Sequence, residues 1–422
     1  MADRGGLTKN AMARASVILI LASGQLCRAP RVLKEATTLG RAGYDVTVMT
    51  VADSARFEAM DQEILKSAPF RKVTLDMLSR SGVAGARVFQ SRLATLIARR
   101  GARFGLRSKQ AFGPARALAR LARGFEADLT IVHTEMPFCI GCDLLARGRR
   151  VAADFEDWHS QSMLPEQEAT RPIPILGNAE RLLMRKAAYK SATSGAMANG
   201  LQGAFGGSLP IVITNSFPLQ PEPPSRAPGN PPSFLWFSQT VGPGRGLEGF
   251  VDAWGQTARP SRLCLVGDVA ESYRAALLGR LPKGPRDRVE FLPLTPPGAL
   301  PSMLAMHDIG LALEPDTPAN KDLTISNKIL QYLNAGLAVV ASPTAGQREV
   351  LERAKGAGVL VDLSRTGEVV ARLDGLLSDP SRLSAMGRAA RRAAVDTYCW
   401  EREAPKLLDA VGSAVARPKG DS

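Results

Sequence analysis

The chain contains 422 residues, of which 45% are hydrophobic, and carries a formal net charge of +14 at pH 7. This length predicts two or three domains with cores of their own, and no apolar run approaches the roughly 18–20 residues that cross a membrane. The five cysteines are odd in number and scattered, which excludes a disulfide framework and favours the cytosol. Cys139 and Cys142 form one C-x-x-C motif without the second pair of a zinc site, so buried thiols are favoured over a redox role.

The N-terminal part predicts a strand, a helix and a second strand. Val17–Ala22 is apolar but shorter than the apolar region of a signal peptide, and no A-x-A site follows, so it indicates a buried strand. Pro30–Gly43 has apolar residues at helical spacing, and Tyr44–Val51 predicts the next strand of a βαβ unit. In the first loop, Gly24 would let the backbone approach a ligand, and Arg28 would either meet an anion or lie in solvent.

Residues 80–123 contain eleven basic side chains and no acidic one, so they carry most of the excess positive charge. Apolar residues from Phe89 to Ile97 fall on one helical face, and arginines such as Arg92 and Arg99 fall on another. Basic amphipathic helices are typical of membrane surfaces. A solvated face and a nucleic-acid interface are the alternatives, but no nucleic-acid motif is present. We therefore expect an anionic membrane surface as a partner, and no nucleic acid.

Two predicted strands are each followed by side chains that can donate or accept a proton. The strand Asp128–His133 runs into Glu135, and the strand Val151–Phe155 runs into an acidic turn that contains Asp154, Glu156 and Asp157. Because ligands bind at the carboxyl ends of parallel strands, His133, Glu135 and Asp157 are candidate catalytic residues. The alternatives are a histidine that packs without chemistry and an acidic turn that is only solvated.

A proline-rich stretch separates the two predicted domains. Ile211–Asn215 is the last strand of the first domain, and residues 219–232, with six prolines, form the linker. Phe234–Ser238 then opens the second domain. The loop that follows has three glycines around Arg245, which alone is a weak indication of phosphate binding. Arg245 would otherwise be an ordinary surface residue.

The stretch Asp308–Ser342 predicts a strand, a polar loop, a helix and another strand. The apolar strands are Ile309–Leu313 and Leu337–Ser342, and the helix between them ends at a glycine. The loop before the helix lies at the carboxyl end of a strand, and the free N–H groups and positive dipole of the helix start suit a diphosphate. The helix start also offers a hydroxyl, an amide and a cation, those of Ser326, Asn327 and Lys328. The alternative is an ordinary crossover helix capped by Ser326.

The residues SNKILQYLNAGLAVVAS, which end at Ser342, resemble the donor-binding core of family-4 glycosyltransferases, a family with the GT-B fold. The match is dense and in the right order, with two departures at the donor-site glutamates. Gln331 stands at the second glutamate, and Leu323 stands at the first. Asp322 is adjacent to Leu323 and would be its substitute.

Other motifs extend the resemblance. The glycine loop is similar to the family's G-R-L-x-x-x-K-G loop, where Arg245 matches the second diphosphate-binding cation and Gln239 takes the place of the first. Gly267 matches the turn beside the nucleotide base, and the loop from His133 resembles the one near the reacting sugar. The Y-x-W-E residues that begin at Tyr398 resemble the start of a final helix that crosses back onto the first domain.

The resemblance implies an α/β protein of the GT-B fold, with two facing, Rossmann-like, doubly wound domains and an interdomain cleft. The expected boundaries are residues 1–218 for the first domain, 233–396 for the second, and 397–422 for the crossover helix and tail. The implied donor site is assembled from both domains. Its residues are Gly24, Gln239, Arg245, Gly267, Asp322, Ser326, Asn327, Lys328 and Gln331.

The implied function is transfer of a sugar from a nucleotide-diphosphate sugar to a hydroxyl acceptor, with retention. No acidic metal cage is evident in the sequence, so we expect catalysis without a metal or other cofactor. We expect a lipid-linked or polysaccharide acceptor in the assembly of cell-surface polysaccharide or glycolipid. The protein is expected in the cytoplasm, with peripheral contact to the inner face of the plasma membrane. Two alternatives stay open, namely a sugar-nucleotide 2-epimerase of the same fold and a non-enzymatic binding module, which the missing glutamates favour.

Overall fold

The computed structural model describes residues 14–163, 168–222, 229–296 and 298–416, which form two parallel β-sheets with helices packed against them. The first sheet has the order β3-β2-β1-β4-β5-β6-β7. Its strands are β1 (Val17–Leu21), β2 (Asp45–Ala52), β3 (Arg71–Asp76), β4 (Leu129–His133), β5 (Val151–Phe155), β6 (Lys190–Ala192) and β7 (Ile211–Val212). The helices between them are α1 (Pro30–Arg41), α2 (Ala55–Leu65), α3 (Gly82–Ala102), α4 (Ala115–Arg123), α5 (Glu135–Leu145), α6 (Ile173–Lys186) and α7 (Gly195–Phe205).

The second sheet has the order β10-β9-β8-β11-β12-β13. Its strands are β8 (Ser233–Val241), β9 (Arg262–Val269), β10 (Val289–Leu292), β11 (Ile309–Ala312), β12 (Ala338–Ala341) and β13 (Gly358–Leu360). The helices are α8 (Leu247–Trp254), α9 (Glu271–Gly279), α10 (Lys283–Arg286), α11 (Leu300–Leu304), α12 (Ala319–Leu323), α13 (Asn327–Ala335), α14 (Ala345–Arg353), α15 (Thr366–Leu377), α16 (Pro380–Asp396) and α17 (Trp400–Ala416).

The central strands are buried along their whole length and mostly apolar, because helices cover both of their faces. All residues of β1, β4 and β5 are buried, and separate apolar clusters lie on the two sides of each sheet. This is the pattern expected of parallel sheets. In each sheet the strand order reverses next to the first strand, at β1/β4 and at β8/β11, and such switch points are where open α/β sheets bind ligands. The predicted fold class is confirmed.

Helix α13 packs unusually close to strand β11. A Cβ atom on Gly310 would lie 2.2 Å from the ring of Tyr332, so only glycine lets the helix approach. The Tyr332 hydroxyl donates to the carbonyls of Leu235 and Leu311, at 3.2 and 3.3 Å. Gly336 ends the helix in the left-handed conformation, with φ of 70°. The start of α13 is thereby fixed at the carboxyl edge of the second sheet.

The C-terminal helix α17 belongs to the core of the first sheet. Phe217, where the chain leaves the first sheet, pairs in parallel with Cys399, where it returns. Trp400 is buried, its backbone N–H donates to the Phe217 carbonyl, and its indole N–H donates to Thr38 of α1 at 2.8 Å. Glu403 accepts a bond from the Thr214 N–H at 3.0 Å. The chain therefore crosses between the two sheets twice, side by side.

We expect Trp400→Ala to lower the free energy of unfolding by about 3–5 kcal/mol, because it removes a large side chain from the shared core. Trp400→Phe keeps most of the packing and loses the bond to Thr38, so about 1 kcal/mol is expected. Urea titration followed by circular dichroism at 222 nm measures both variants. Equal midpoints for wild type and Trp400→Ala would contradict the role assigned to the crossover.

Candidate functional site

A cavity of about 260 Å³ lies between the two domains, at the carboxyl ends of strands from both sheets. The first domain lines it with residues that follow β5, β6 and β7, namely Glu156, Asp157, Thr193 and Asn215. The second domain lines it with Arg245, Glu314, Lys321, Thr324, Ile325, Ser326, Asn327 and Lys328. The sequence predicted Asp157, Arg245, Ser326, Asn327 and Lys328 as site residues, and the fold brings these five together.

A larger groove of about 770 Å³ runs between the linker residues 217–222 and helices α11 and α13. Its lining is mainly apolar, and none of the described residues that form it carries a positive charge. We therefore place the anion-binding site in the smaller cavity. Gln331, predicted to bind the donor, lines this groove instead, because it lies on the side of α13 that faces the linker.

The start of α13 is occupied by a carboxylate from the same domain. Glu314 follows β11, and its Oε1 atom accepts bonds from Lys328 Nζ at 2.6 Å and from the Ser326 hydroxyl at 3.2 Å. Ser326 caps the helix by accepting a bond from the Lys328 N–H. Sequence reasoning missed Glu314, since nothing in a polar loop indicates which of its residues turns back to the helix start.

The second-domain wall of the cavity keeps a net positive charge, although Glu314 contributes a carboxylate. Burial opposes ionisation of Glu314, but the ammonium groups of Lys328 and Lys321 hold the pKa of its carboxyl below the ordinary value. Burial lowers the pKa of Lys328, and the Glu314 carboxylate counteracts this. Arg245 also lowers the pKa of Lys328, so the two cations lie near each other. Three cations therefore face the cavity with one carboxylate between them.

Arg245 reaches the cavity because two glycines bend its loop. Gly244 and Gly246 have φ of 72° and 75°, a region that disfavours other residues, and α8 begins directly afterwards. Gln239, predicted as the matching ligand, is instead exposed on β8 outside the cavity lining. Gly267 is needed for a close strand contact, since a Cβ atom there would lie 2.3 Å from the Ser238 carbonyl oxygen.

Two other predicted ligands lie elsewhere. Asp322, expected to replace a donor-site glutamate, accepts a bond from the Ala345 N–H at 2.9 Å and so holds the start of α14. Gly24 is exposed and is not part of the cavity lining. Its neighbour Ser23 shares a hydrogen bond of 2.7 Å with Thr134, a β-branched residue held at φ of 66°.

His133, predicted to be catalytic, does not reach the cavity. Its side chain is 0% exposed, and Nε2 lies 3.1 Å from Oε2 of Glu35 on α1. Glu135, the second catalytic candidate, is partly buried and pairs with Arg171 outside the cavity lining. Strand β4 ends by turning His133 towards α1, which the sequence pattern did not reveal.

A buried charge cluster surrounds His133. Arg31 bonds Asp154 at 2.6 Å and lies 3.0 Å from Glu35, so two carboxylates face one guanidinium and one imidazole. Burial opposes ionisation of Asp154, yet Arg31 lowers the pKa of that carboxyl to about 2. Burial and the Asp154 charge raise the pKa of Glu35. Burial lowers the pKa of His133, but Glu35 outweighs this and raises it overall.

Glu35, His133 and Asp154 bring possible metal-ligand atoms within 4.8 Å of one another. The Arg31 guanidinium already supplies positive charge to both carboxylates, and it also donates to the Ile213 and Thr214 carbonyls. A metal ion would have to displace this buried arginine. We therefore assign the cluster a structural role, and the prediction that catalysis needs no metal stays a prediction.

The two walls of the cavity are bonded to each other. Asn320 of α12 accepts a bond from the Trp158 N–H at 2.7 Å and donates to Asp157 at 2.8 Å. Ser194 donates to the Leu323 carbonyl at 2.5 Å, so α7 is tied to the same loop. Asp157 thus lines the cavity while its carboxylate holds the opposite domain.

The second domain matches the family model described as "Glycosyl transferases group 1" over residues 231–379. This domain is therefore similar to the group 1 glycosyl transferases. A curated relative, spore coat protein SA of Bacillus subtilis (strain 168), is 24% identical to this chain over 123 residues, which are 29% of this chain and 31% of that protein. The chain thus matches about a third of that relative's length.

Solved structures share the fold over nearly the whole chain. Anabaena Alr3699/HepE in complex with UDP-glucose matches with a TM-score of 0.66 and 18% identity, over 94% of this chain and 100% of that one. WaaG, a glycosyltransferase involved in lipopolysaccharide biosynthesis, matches with a TM-score of 0.59 and 13% identity, over 94% and 100%. The resemblance to glycosyltransferases of the GT-B fold is confirmed.

The raised pKa of His133 predicts a pH dependence of stability. The folded state favours the protonated imidazole, so this contribution is complete below the unfolded pKa of about 6.5 and is lost as pH rises through the folded value. His133→Gln is therefore expected to cost about 1.5–3 kcal/mol near pH 6, and less in alkaline buffer. Urea midpoints measured from pH 5.5 to 9 give the difference.

His159 is the matched control, because burial lowers the pKa of its imidazole. The wild type should lose stability relative to His159→Gln as pH falls, which is the opposite trend. The same slope for both variants would contradict the protonated state assigned to His133.

Proposed function

We propose that the protein transfers a sugar from a nucleotide-diphosphate sugar to a hydroxyl acceptor. The observation that carries the proposal is the positive wall of the interdomain cavity, where Arg245, Lys321 and Lys328 meet the start of α13. When the glycosidic bond breaks, negative charge grows on the leaving diphosphate. Fixed cations and helix N–H groups stabilise that charge without having to reorganise.

The carboxylate of Glu314 fits this function because it holds cationic side chains in position. Glu314 fixes Lys328 and Ser326 before any ligand arrives, so the lysine does not pay the full entropic cost of ordering when the diphosphate binds. With three cations and one carboxylate, the wall keeps an excess positive charge for the ligand. A UDP-sugar is the first donor to test, because the HepE structure contains UDP-glucose.

We further propose that the reaction retains the anomeric configuration, needs no metal, and serves the assembly of a cell-surface polysaccharide or glycolipid. The family resemblance supports retention, and a sequence without an evident acidic metal cage supports metal independence. The third is supported by two relatives, a spore coat protein and a glycosyltransferase involved in lipopolysaccharide biosynthesis. Proton NMR of the product's anomeric signal, with and without EDTA in the reaction, tests retention and metal independence together.

Arg245→Ala is expected to lower kcat/KM for a UDP-sugar at least tenfold, about 1.4 kcal/mol, because a cation is lost from the leaving diphosphate. The double variant Lys328→Met/Glu314→Gln should show at least the same loss without leaving a buried carboxylate unpaired. Initial rates of UDP release measure both.

Arg382→Ala, on the exposed side of α16, is the control and should keep wild-type kinetics. Near-wild-type activity in both cavity variants would remove the diphosphate assignment. Conversion of UDP-N-acetylglucosamine without any acceptor would instead identify a 2-epimerase, and binding without transfer or hydrolysis would identify a binding module.

We also propose that α3 and the loop after it bind an anionic membrane surface from the cytoplasmic side. Within the described ranges, no helix is long and apolar enough to cross a membrane. Helix α3 nevertheless presents apolar side chains to solvent, among them Phe89 at 67% exposure, and Phe104 in the next loop is 90% exposed. The surrounding arginines suit the headgroups of acidic lipids.

The position of α3 fits a lipid-linked acceptor. Strand β3 is parallel to its neighbours, so α3 begins at the same edge of the sheet that carries the cavity. Arg92 and Arg99 bond the carbonyls of Met77 and Ala111, which fixes the helix on the domain. A membrane against α3 would therefore lie beside the cleft.

Changing the exposed residues Arg87, Arg100 and Arg103 to glutamine should weaken binding to vesicles about 100-fold, because each basic residue near an anionic surface contributes about 1 kcal/mol. Cosedimentation with vesicles of 30% phosphatidylserine measures the partition. A triple glutamine variant on α16, at Arg382, Arg388 and Arg392, is the control. Unchanged sedimentation of the α3 variant would reject the membrane surface.

A further inference from the structure

We propose that the carboxylate of Glu156 binds the acceptor hydroxyl and takes up its proton during sugar transfer. This inference rests on the proposed function, and it assigns a role to the first-domain wall of the cavity. Glu156 was one member of an acidic turn in the sequence, and in the structure its two acidic neighbours are engaged in bonds to other residues.

The position of Glu156 is fixed while its carboxylate is left available. The residue follows β5 directly, and its backbone carbonyl accepts a bond from Thr193 at 3.2 Å. Its side chain lines the cavity that holds Arg245 and Lys328. Among the residues that the structure describes, none forms a hydrogen bond or ion pair with the Glu156 carboxylate.

The neighbouring carboxylates are engaged in other contacts. Asp154 is buried against Arg31, and Asp157 accepts the bond from Asn320 of the other domain. Glu135, from the loop after β4, pairs with Arg171. Among the described residues of the first domain that line the cavity, Glu156 is thus the acidic one whose carboxylate oxygens are not already bonded.

The surroundings of Glu156 tune its basicity. Burial, followed by the charge of Asp157, raises the pKa of Glu156 to about 7. A general base works best when its pKa lies near the operating pH. The groups that act on it from the first domain are Asp154, Asp157, His133, Arg31 and Lys34. The groups that face it across the cavity are Arg245, Glu314, Lys321 and Lys328.

The proposed sugar transfer needs no reactant other than the donor, the acceptor and the Glu156 carboxylate. The acceptor O–H bond breaks, and its proton passes to a Glu156 oxygen. The acceptor oxygen forms a bond to the anomeric carbon of the donor sugar on the face from which the diphosphate leaves, so the configuration is retained. The bond from that carbon to the diphosphate oxygen breaks, and its electron pair leaves with the nucleoside diphosphate, which the cationic wall stabilises. The proton on Glu156 is released to solvent after the products leave.

Glu156→Gln tests the proposal, since it keeps the size of the side chain and removes its basicity. UDP-glucose is the donor, and water and octyl β-D-glucopyranoside are the acceptors. Calorimetry measures the Kd for UDP-glucose, and UDP release measures turnover. The control is Glu126→Gln, a residue 84% exposed that precedes β4 and therefore lies at the opposite edge of the sheet.

We expect Glu156→Gln to keep its Kd for UDP-glucose within threefold and to lose turnover roughly 100-fold or more. In the wild type, kcat/KM should fall as pH drops below about 7, because the carboxylate becomes protonated, and this limb should be absent in the variant. Added formate should restore part of the turnover of Glu156→Ala, which a purely structural role would not allow.

Turnover of Glu156→Gln within threefold of wild type would overturn this inference and leave the proposed function standing. So would a parallel loss of UDP-glucose binding, which would make Glu156 a donor ligand or a folding residue. A wild-type protein that binds UDP-glucose yet transfers its sugar neither to water nor to the glucoside also counts against a positioned base. A wild type that binds no nucleotide sugar would overturn the proposed function itself, and this inference with it.

Discussion

The site depends on the side chain of Asn320. This residue is almost fully buried in the second domain, yet both ends of its amide bond to the first domain, at the Trp158 N–H and the Asp157 carboxylate. A buried amide is costly unless its donors and acceptors are paired, so the turn after β5 and the loop before α13 hold each other in register. The distance between the two cavity walls follows from that register.

Holding the walls together gives the cavity its electrical asymmetry. The second domain contributes Arg245, Lys321 and Lys328, and the first contributes Glu156 and Asp157. In open water these charges would be strongly screened, but between two packed domains they act over short distances in a medium of lower dielectric. A ligand with an anionic end and a neutral, hydroxyl-bearing end matches this arrangement. An anion placed against the first domain would meet like charge.

Local patterns in the sequence predicted the scaffold. Apolar runs of strand length alternate with helical periodicity, and Ser326 and Gly336 mark the two ends of α13. Arg245 was also predicted, through the resemblance of its glycine loop to the family's G-R-L-x-x-x-K-G loop. These features depend on residues near one another in the chain, which a sequence displays directly.

The parts that the sequence did not predict depend on the direction of side chains in space. Gln331 lies on α13 within five residues of Ser326, but the turn of the helix points it towards the linker. His133 is the last residue of its strand and faces α1. There it meets Glu35, a residue 98 positions earlier in the chain. Glu314 meets Lys328 across a loop that contains α12, a helix that the polar composition did not suggest.

The paired crossing at Phe217 and Cys399 has a mechanical consequence for the whole molecule. A single covalent tether would let one lobe swivel freely about the other. Here two chain segments run side by side, and the Lys34 ammonium lies over the rings of both Phe217 and Trp400. This arrangement resists twisting of one lobe against the other, so bending is the easier motion. Opening of the cavity would require the Asn320 bonds to break while these two segments bend together, so each closure would return the same faces to the same alignment.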